Sequence, residues 1–264
     1  ELAALAQETG RICRRDFDPP QVLSCKGMTT LLFCEKPALR AVFGTAGTAA
    51  KGTVSGDAVQ QFCSPAAAQM ILCDGMGTGS GAQSDAQEAI SVLQSLLTLG
   101  FDAMDAAAML NELYVLRGDG CFSTIDLLEV DLCTGEGALY KWGAAPSYLK
   151  KGGTVKKIGT ASPPPGLGVG EEHRAERVGL SLQRGEQLVL TTDGIPEAAC
   201  EQYLRACGPL SPRELAAGVV ACASESEPDD RTAVIVQLDP ASMQPHHTTR
   251  RARSVSKSGV EPHI

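Results

Sequence analysis

Two apolar runs in this chain end on the same pair of residues. Met70-Ile71-Leu72-Cys73 leads into Asp74-Gly75, and Leu188-Val189-Leu190 leads through two threonines into Asp193-Gly194. Asp57 lies in VSGDAV, and Asp229 and Asp230 stand in DDRTAVIV, immediately before another apolar run. Four separated segments thus carry carboxylates at the ends or turns of apolar strands. If those ends converge, at least four negative charges share one small volume, and only cations could hold them there. Neither Cys nor His accompanies these acids, so the donors are all oxygen, which suits Mg²⁺ or Mn²⁺ rather than zinc. A glycine after each Asp lets the backbone turn sharply and come close to an ion. Asp-Gly after a strand is also an ordinary turn signal, and the pattern alone leaves both readings open.

Other chemistries are poorly served. The glycines at 75, 77, 79 and 81 do not form G-x-G-x-x-G, because the sixth position from Gly75 is Ser80. The run also lacks the Lys-Ser/Thr ending of a phosphate-binding loop. The histidines are His173, His246, His247 and His263, three of them in the last twenty residues, so no base for a nucleophilic triad is evident. The ten cysteines form no C-x-x-C. Several, such as Cys34, Cys73 and Cys133, sit in apolar stretches and read as small buried hydrophobes in a reducing compartment. Net charge is −8; the last 24 residues are basic and the first 27 balanced, so the acids concentrate in the middle. That argues against nucleic acid as a partner and suits a domain that gathers cations.

The elements that must position the acids are mostly short strands. LRAVFGTA, TVSGDAVQQF, MILC, STIDLLEVDL, GALYKW, SYLKK, VGLSL, EQLVLTT and TAVIVQL qualify, and their short connections favour antiparallel pairing. A helix is expected over 82–97, where apolar residues fall at 82, 86, 89, 90, 93, 96 and 97. A second should start at Asp102 and run to about Arg117, antiparallel to the first. A third starts at Ser211, with Pro212 and Glu214 completing a capping box. No apolar run is long enough to span a membrane.

In order, VSGD (54–57), CDGMGTGSGA (73–82), the helix pair, FSTIDLLEVDL (122–132), WGAAPSYL (142–149), PPPGLGVG (163–170), TTDGI (191–195) and DDRTAVIV (229–236) resemble one family. It is the phosphatase domain of stage II sporulation protein E, in the bacterial branch of the metal-dependent, type 2C-like serine/threonine protein phosphatases. The resemblance implies an α+β fold: two packed antiparallel β-sheets flanked by helices, an αββα sandwich, with a two-metal site at one end. It makes Asp74 the bridging and catalytically central ligand, with Asp57 and the Gly75 carbonyl on one ion and Asp193 and Asp229 on the other. Asp230 and Gly194 would stand just behind these ligands. Two Mn²⁺ or Mg²⁺ ions would activate a water for attack on phosphorus. Larger relatives often have His after Asp-Gly, where this chain has Met76, and their phosphate-binding Arg has no counterpart. Lys51, six residues before Asp57, is the nearby base, and reads either as a solvated surface lysine or as a phosphate contact.

On this resemblance, residues 1–27 are the end of a preceding linker or regulatory helix, 28–240 the phosphatase domain and 241–264 a disordered basic tail. The implied substrate is a phosphoserine protein, the phosphorylated anti-sigma-factor antagonist of a sporulating cell. A stress-response phosphatase with a different upstream sensor, and a catalytically silent domain of the same fold, are the alternatives. The family implies a cytoplasmic domain of a protein anchored in the membrane, and oligomerised, through N-terminal parts. It also implies that the helix pair switches the metal site, with Ala82, Ala86 and Ala89 as small residues on its buried stripe.

Overall fold

Strands β5 (Ala67–Gly75), β11 (Gln187–Thr191) and β12 (Arg231–Pro240) carry nearly unbroken apolar runs because both of their faces are covered. In this computed structural model, which describes residues 1–50, 52–64, 66–118, 120–159, 162–167, 174–223 and 229–241, they lie inside two five-stranded antiparallel sheets. The first sheet has the order β10 (Glu176–Ser181), β7 (Glu136–Trp142), β6 (Ser123–Asp131), β5, β4 (Asp57–Cys63). The second has the order β3 (Leu39–Thr48), β12, β11, β8 (Ser147–Lys151), β9 (Thr154–Ile158). A separate hairpin, β1 (Gln21–Cys25) with β2 (Met28–Leu32), follows helix α1 (Leu2–Cys13).

Alternation along each strand divides the core into three layers. Met70 and Leu72 of β5 pack between the sheets with Leu188, Leu190, Val234 and Val236. Ile71 and Cys73, pointing the other way, meet α2 (Ser80–Thr98) and α3 (Ala103–Arg117) through Ala86, Ala89, Leu93 and Leu110. On the far side Val189 and Ile235 meet α4 (Glu197–Ala206) and α5 (Pro212–Ala221). The result is the expected αββα sandwich. The capping signals act as the sequence predicts: Asp102 accepts the Met104 N–H, and Ser211 and Glu214 form a full capping box at the start of α5.

Several expectations need correction. The strand expected from Thr53 begins only at Asp57, after a turn. Helix α4 and strands β1, β2 and β9 were not anticipated; α4 carries no side-chain N-cap, and β1 and β2 are exposed throughout. The cysteines are less buried than expected: Cys73 and Cys200 are buried, whereas Cys13, Cys25, Cys34 and Cys63 are exposed and Cys133 half-buried. All ten are free thiols. Lys51, His173 and the tail beyond Ala241 lie outside the described residues. No helix among the described residues is long and apolar enough to cross a membrane.

Candidate metal centre

Asp57 and Asp74 stand directly opposite each other in the β4–β5 register. Counting by twos from Val59 and Leu72, which pack between the sheets, places both carboxylates on that inner face at the sheet's end. The second sheet contributes Asp193, two residues past the end of β11, and Asp229, two residues before β12. Hydrogen bonds tie the two sets together. Thr192 Oγ1 donates to Asp57 Oδ2 at 3.0 Å. The buried Asp230 carboxylate accepts the Gly56 N–H at 2.6 Å and the Ala50 N–H at 2.7 Å. Asp230 therefore holds, from the second sheet, the connection that delivers Asp57 in the first.

The electrostatics follow from this crowding. Asp74 is pushed up to about 9, first by burial, then by the negative charges of Asp57 and Asp193, a hydrogen bond to Asp57, and the charge of Asp229. Burial raises Asp57 to about 6; hydrogen bonding to Thr232, Thr192 and Asp74 pulls it down, and Asp230 pushes it up. Asp193 is raised by burial and by Asp229, against hydrogen bonds with Asp74 and the backbone. Asp74 is thus the carboxyl most disfavoured as an anion here, pressed by Asp57 in its own sheet and by Asp193 and Asp229 from the other.

Among the described residues no three Asp, Glu, His or Cys side chains are arranged to hold an ion as they stand. Crowding of the carboxyls raises their proton affinity, and a proton would relieve the same repulsion that a cation would. The donor set nevertheless fits a hard divalent ion. It is all oxygen, and it includes a buried carboxylate atom, Asp57 Oδ1, with no hydrogen-bond partner.

The two Asp-Gly glycines have a reason other than the one expected. Neither takes a left-handed conformation. Instead, a Cβ on Gly75 would stand 2.1 Å from the Ala82 carbonyl oxygen, and one on Gly194 would stand 2.1 Å from the Asp230 carbonyl oxygen. Each glycine admits a neighbouring backbone. The left-handed turns fall instead at Gly77 and Gly79, with φ of 84° and 86°, where the chain leaves β5 and enters α2. Ala82, Ala86 and Ala89 are buried on α2, as their spacing predicts. The second helix also reaches this strand end: Tyr114 Oη lies 2.8 Å from Ser123 Oγ, and Ser123 pairs with Gly75. Met76, which follows Asp74-Gly75, is half exposed and supplies no acid or base.

Sequence reasoning passed over Thr192. Its signal was present, since counting by twos from the inward Leu188 and Leu190 reaches it. It also passed over Arg231. Beside Asp229, an open cleft of about 650 Å³ runs between Ala46–Ala50 and Ala217, Val220 and Ala221 of α5, with Arg231 in its lining.

A sandwich of two antiparallel sheets between helix pairs, with carboxylates gathered at one end, defines the type 2C class of serine/threonine phosphatases. Within that class, the chain belongs to the stage II sporulation protein E family, whose description it matches over residues 64–239. Stage II sporulation protein E of Bacillus subtilis (strain 168) is 30% identical over 182 residues, a match covering 64% of this chain and 22% of that protein. The chain therefore spans about a fifth of the length of that relative. The solved phosphatase domain of the cell fate determinant SpoIIE from Bacillus subtilis, with a fragment of its regulatory domain, superposes with a TM-score of 0.76. It is 25% identical, and the match covers 92% of this chain and 75% of that one. The catalytic domain of the serine/threonine phosphatase PstP, solved with two manganese ions, shares the fold at 14% identity and a TM-score of 0.59, covering 76% of this chain and 99% of that one.

Proposed function

We propose that this domain hydrolyses phosphoserine, and phosphothreonine where it fits, on a protein substrate with two Mn²⁺ or Mg²⁺ ions. The observation that carries the reading is Asp74, a half-buried carboxyl in electrostatic contact with acids from both sheets. Asp57, Asp74 and the Gly75 carbonyl would hold one ion, and Asp74, Asp193 and Asp229 the other. The two ions of the PstP structure support that number. When bound, such ions lower the pKa of water and neutralise phosphoryl charge. The chain's own residues orient the site: Thr192 and Asp230 fix Asp57 from the opposite sheet, and the cleft beside Asp229 leaves room for a polypeptide. No side-chain nucleophile is needed.

The family supports a narrower reading. The substrate is the phosphorylated anti-sigma-factor antagonist of a sporulating cell, met by a domain whose membrane anchor and oligomerising parts belong to segments outside this chain. The helix pair α2–α3, which touches the Asp74–Gly75 strand end from both helices, acts as the switch of the site. The test is release of phosphate from that phosphoserine protein with Mn²⁺, then with excess chelator. Turnover that depends on the metal is expected; no turnover, or turnover indifferent to chelator, would overturn the reading.

A further inference from the structure

One hydroxyl joins three of the four acid-bearing segments. Thr192 precedes Asp193. Its Oγ1 accepts the N–H of Thr232 at 2.9 Å, while its own N–H donates to the Thr232 carbonyl at 3.0 Å, which extends the β11–β12 pairing one step past its last strand residues. The hydroxyl hydrogen has two acceptors within reach, the Thr232 carbonyl at 3.5 Å and, closer, Asp57 Oδ2 on the inner face at 3.0 Å. Thr192, Thr232 and Asp57 are all buried. The other oxygen of that carboxylate, Oδ1, is buried without a partner.

A free carboxylate can rotate about its Cβ–Cγ bond and present either oxygen. With Oδ2 held by the threonine, rotation is opposed and Oδ1 is the oxygen left without a hydrogen-bond partner. Resting on the two-ion reading above, we infer that Thr192 is a positioning residue. Its hydroxyl selects which oxygen of Asp57 meets the ion, and it couples the first sheet's ligands to the second sheet's. Replacing it with Val keeps the shape but removes a donor from Asp57 Oδ2 and leaves the buried Thr232 N–H without its side-chain acceptor. Ser keeps the hydroxyl and loses only a methyl.

The test is Mn²⁺ binding by calorimetry to the chelator-treated folded chain, with phosphoserine-peptide turnover measured in parallel for wild type, Thr192→Val, Thr192→Ser and Thr191→Val. Thr191 is the buried neighbour on the same strand and serves as the control for losing a hydroxyl at the sheet end. Thr192→Val should weaken Mn²⁺ binding at least tenfold, Thr192→Ser less than threefold, and Thr191→Val less than twofold. Thr192→Val should also need correspondingly more Mn²⁺ for half-maximal turnover. Equal affinities in all four, or equal losses in Thr191→Val and Thr192→Val, would overturn the assignment. Failure of the wild type itself to bind Mn²⁺ would instead refute the two-ion reading on which it rests.

Discussion

Asp230 offers the sharpest energetic test of how the centre is built. Both of its oxygens are committed to backbone donors, Gly56 N–H at 2.6 Å and Ala50 N–H at 2.7 Å, and the side chain is buried. Hydrogen bonds to a charged acceptor contribute about 1.5–3 kcal/mol each, and a stranded buried donor costs about 1–3 kcal/mol. Asp230→Ala removes both, so a loss of about 3–5 kcal/mol is expected, a large share of a total stability of about 5–15 kcal/mol. Asp230→Asn keeps one acceptor but turns an amide N–H toward the other donor, and should lose roughly half as much. Urea unfolding read by circular dichroism would measure both, with the midpoint shifting and the slope unchanged. At about 2–4 °C per kcal/mol for a domain of this size, the Ala variant should melt roughly 6–20 °C lower. If both variants fell within about 0.5 kcal/mol of wild type, Asp230 would not be holding the connection to Asp57.

Three further outcomes are expected. Asp74→Asn should keep the fold by circular dichroism yet lose at least about a hundredfold in turnover, on the order of 2.7 kcal/mol of transition-state stabilisation; retention of a tenth of the rate would contradict its central position. Asp57 and Asp74 titrate in the folded chain at about 6 and about 9, above the usual carboxylate value, so the folded state binds more protons than the unfolded one. Their contribution to metal-free stability is therefore full below about pH 4 and is lost as pH rises through about 6 and then about 9. The melting temperature of chelator-treated protein should drop across that window, the rise on adding Mn²⁺ should be larger at pH 8 than at pH 5.5, and equal rises would count against a carboxylate cage. Ala86→Leu, which overfills a buried position of α2 at a cost of about 1–3 kcal/mol, should also weaken Mn²⁺ binding at least fivefold; normal binding with lost stability would make the helix pair packing alone.

How much of this was legible in the sequence depends on period. The strands and the helix pair showed through because Met70–Cys73 and Leu188–Leu190 are continuous apolar runs and positions 82–97 follow a helical stripe, while the αββα arrangement of the two sheets came only with the family resemblance. The candidate ligands showed through because an acid closing an apolar run is conspicuous. What was hidden depends on contacts between distant segments. Asp230 and Thr192 act across 174 and 135 residues of sequence, and nothing local distinguishes a hydroxyl that orients a ligand from one that merely fills a strand end. The reason for Gly75 and Gly194 was hidden in the same way, since Gly75 is still part of β5 and the backbone that each glycine admits belongs to a distant segment. Helix α4 escaped because Pro196 gives it no side-chain cap, and β1 and β2 because they have no buried face to impose alternation.

The central claim is that Asp74 joins two ions held by acids from both sheets. Crystals of the protein soaked in Mn²⁺, with anomalous scattering recorded at the manganese edge, would test it directly. The account predicts two peaks about 3.5–4 Å apart, both in contact with the Asp74 carboxylate, one also with Asp57 and the other with Asp193 and Asp229. A lone peak away from Asp74, or manganese bound only at other surface acids, would contradict it.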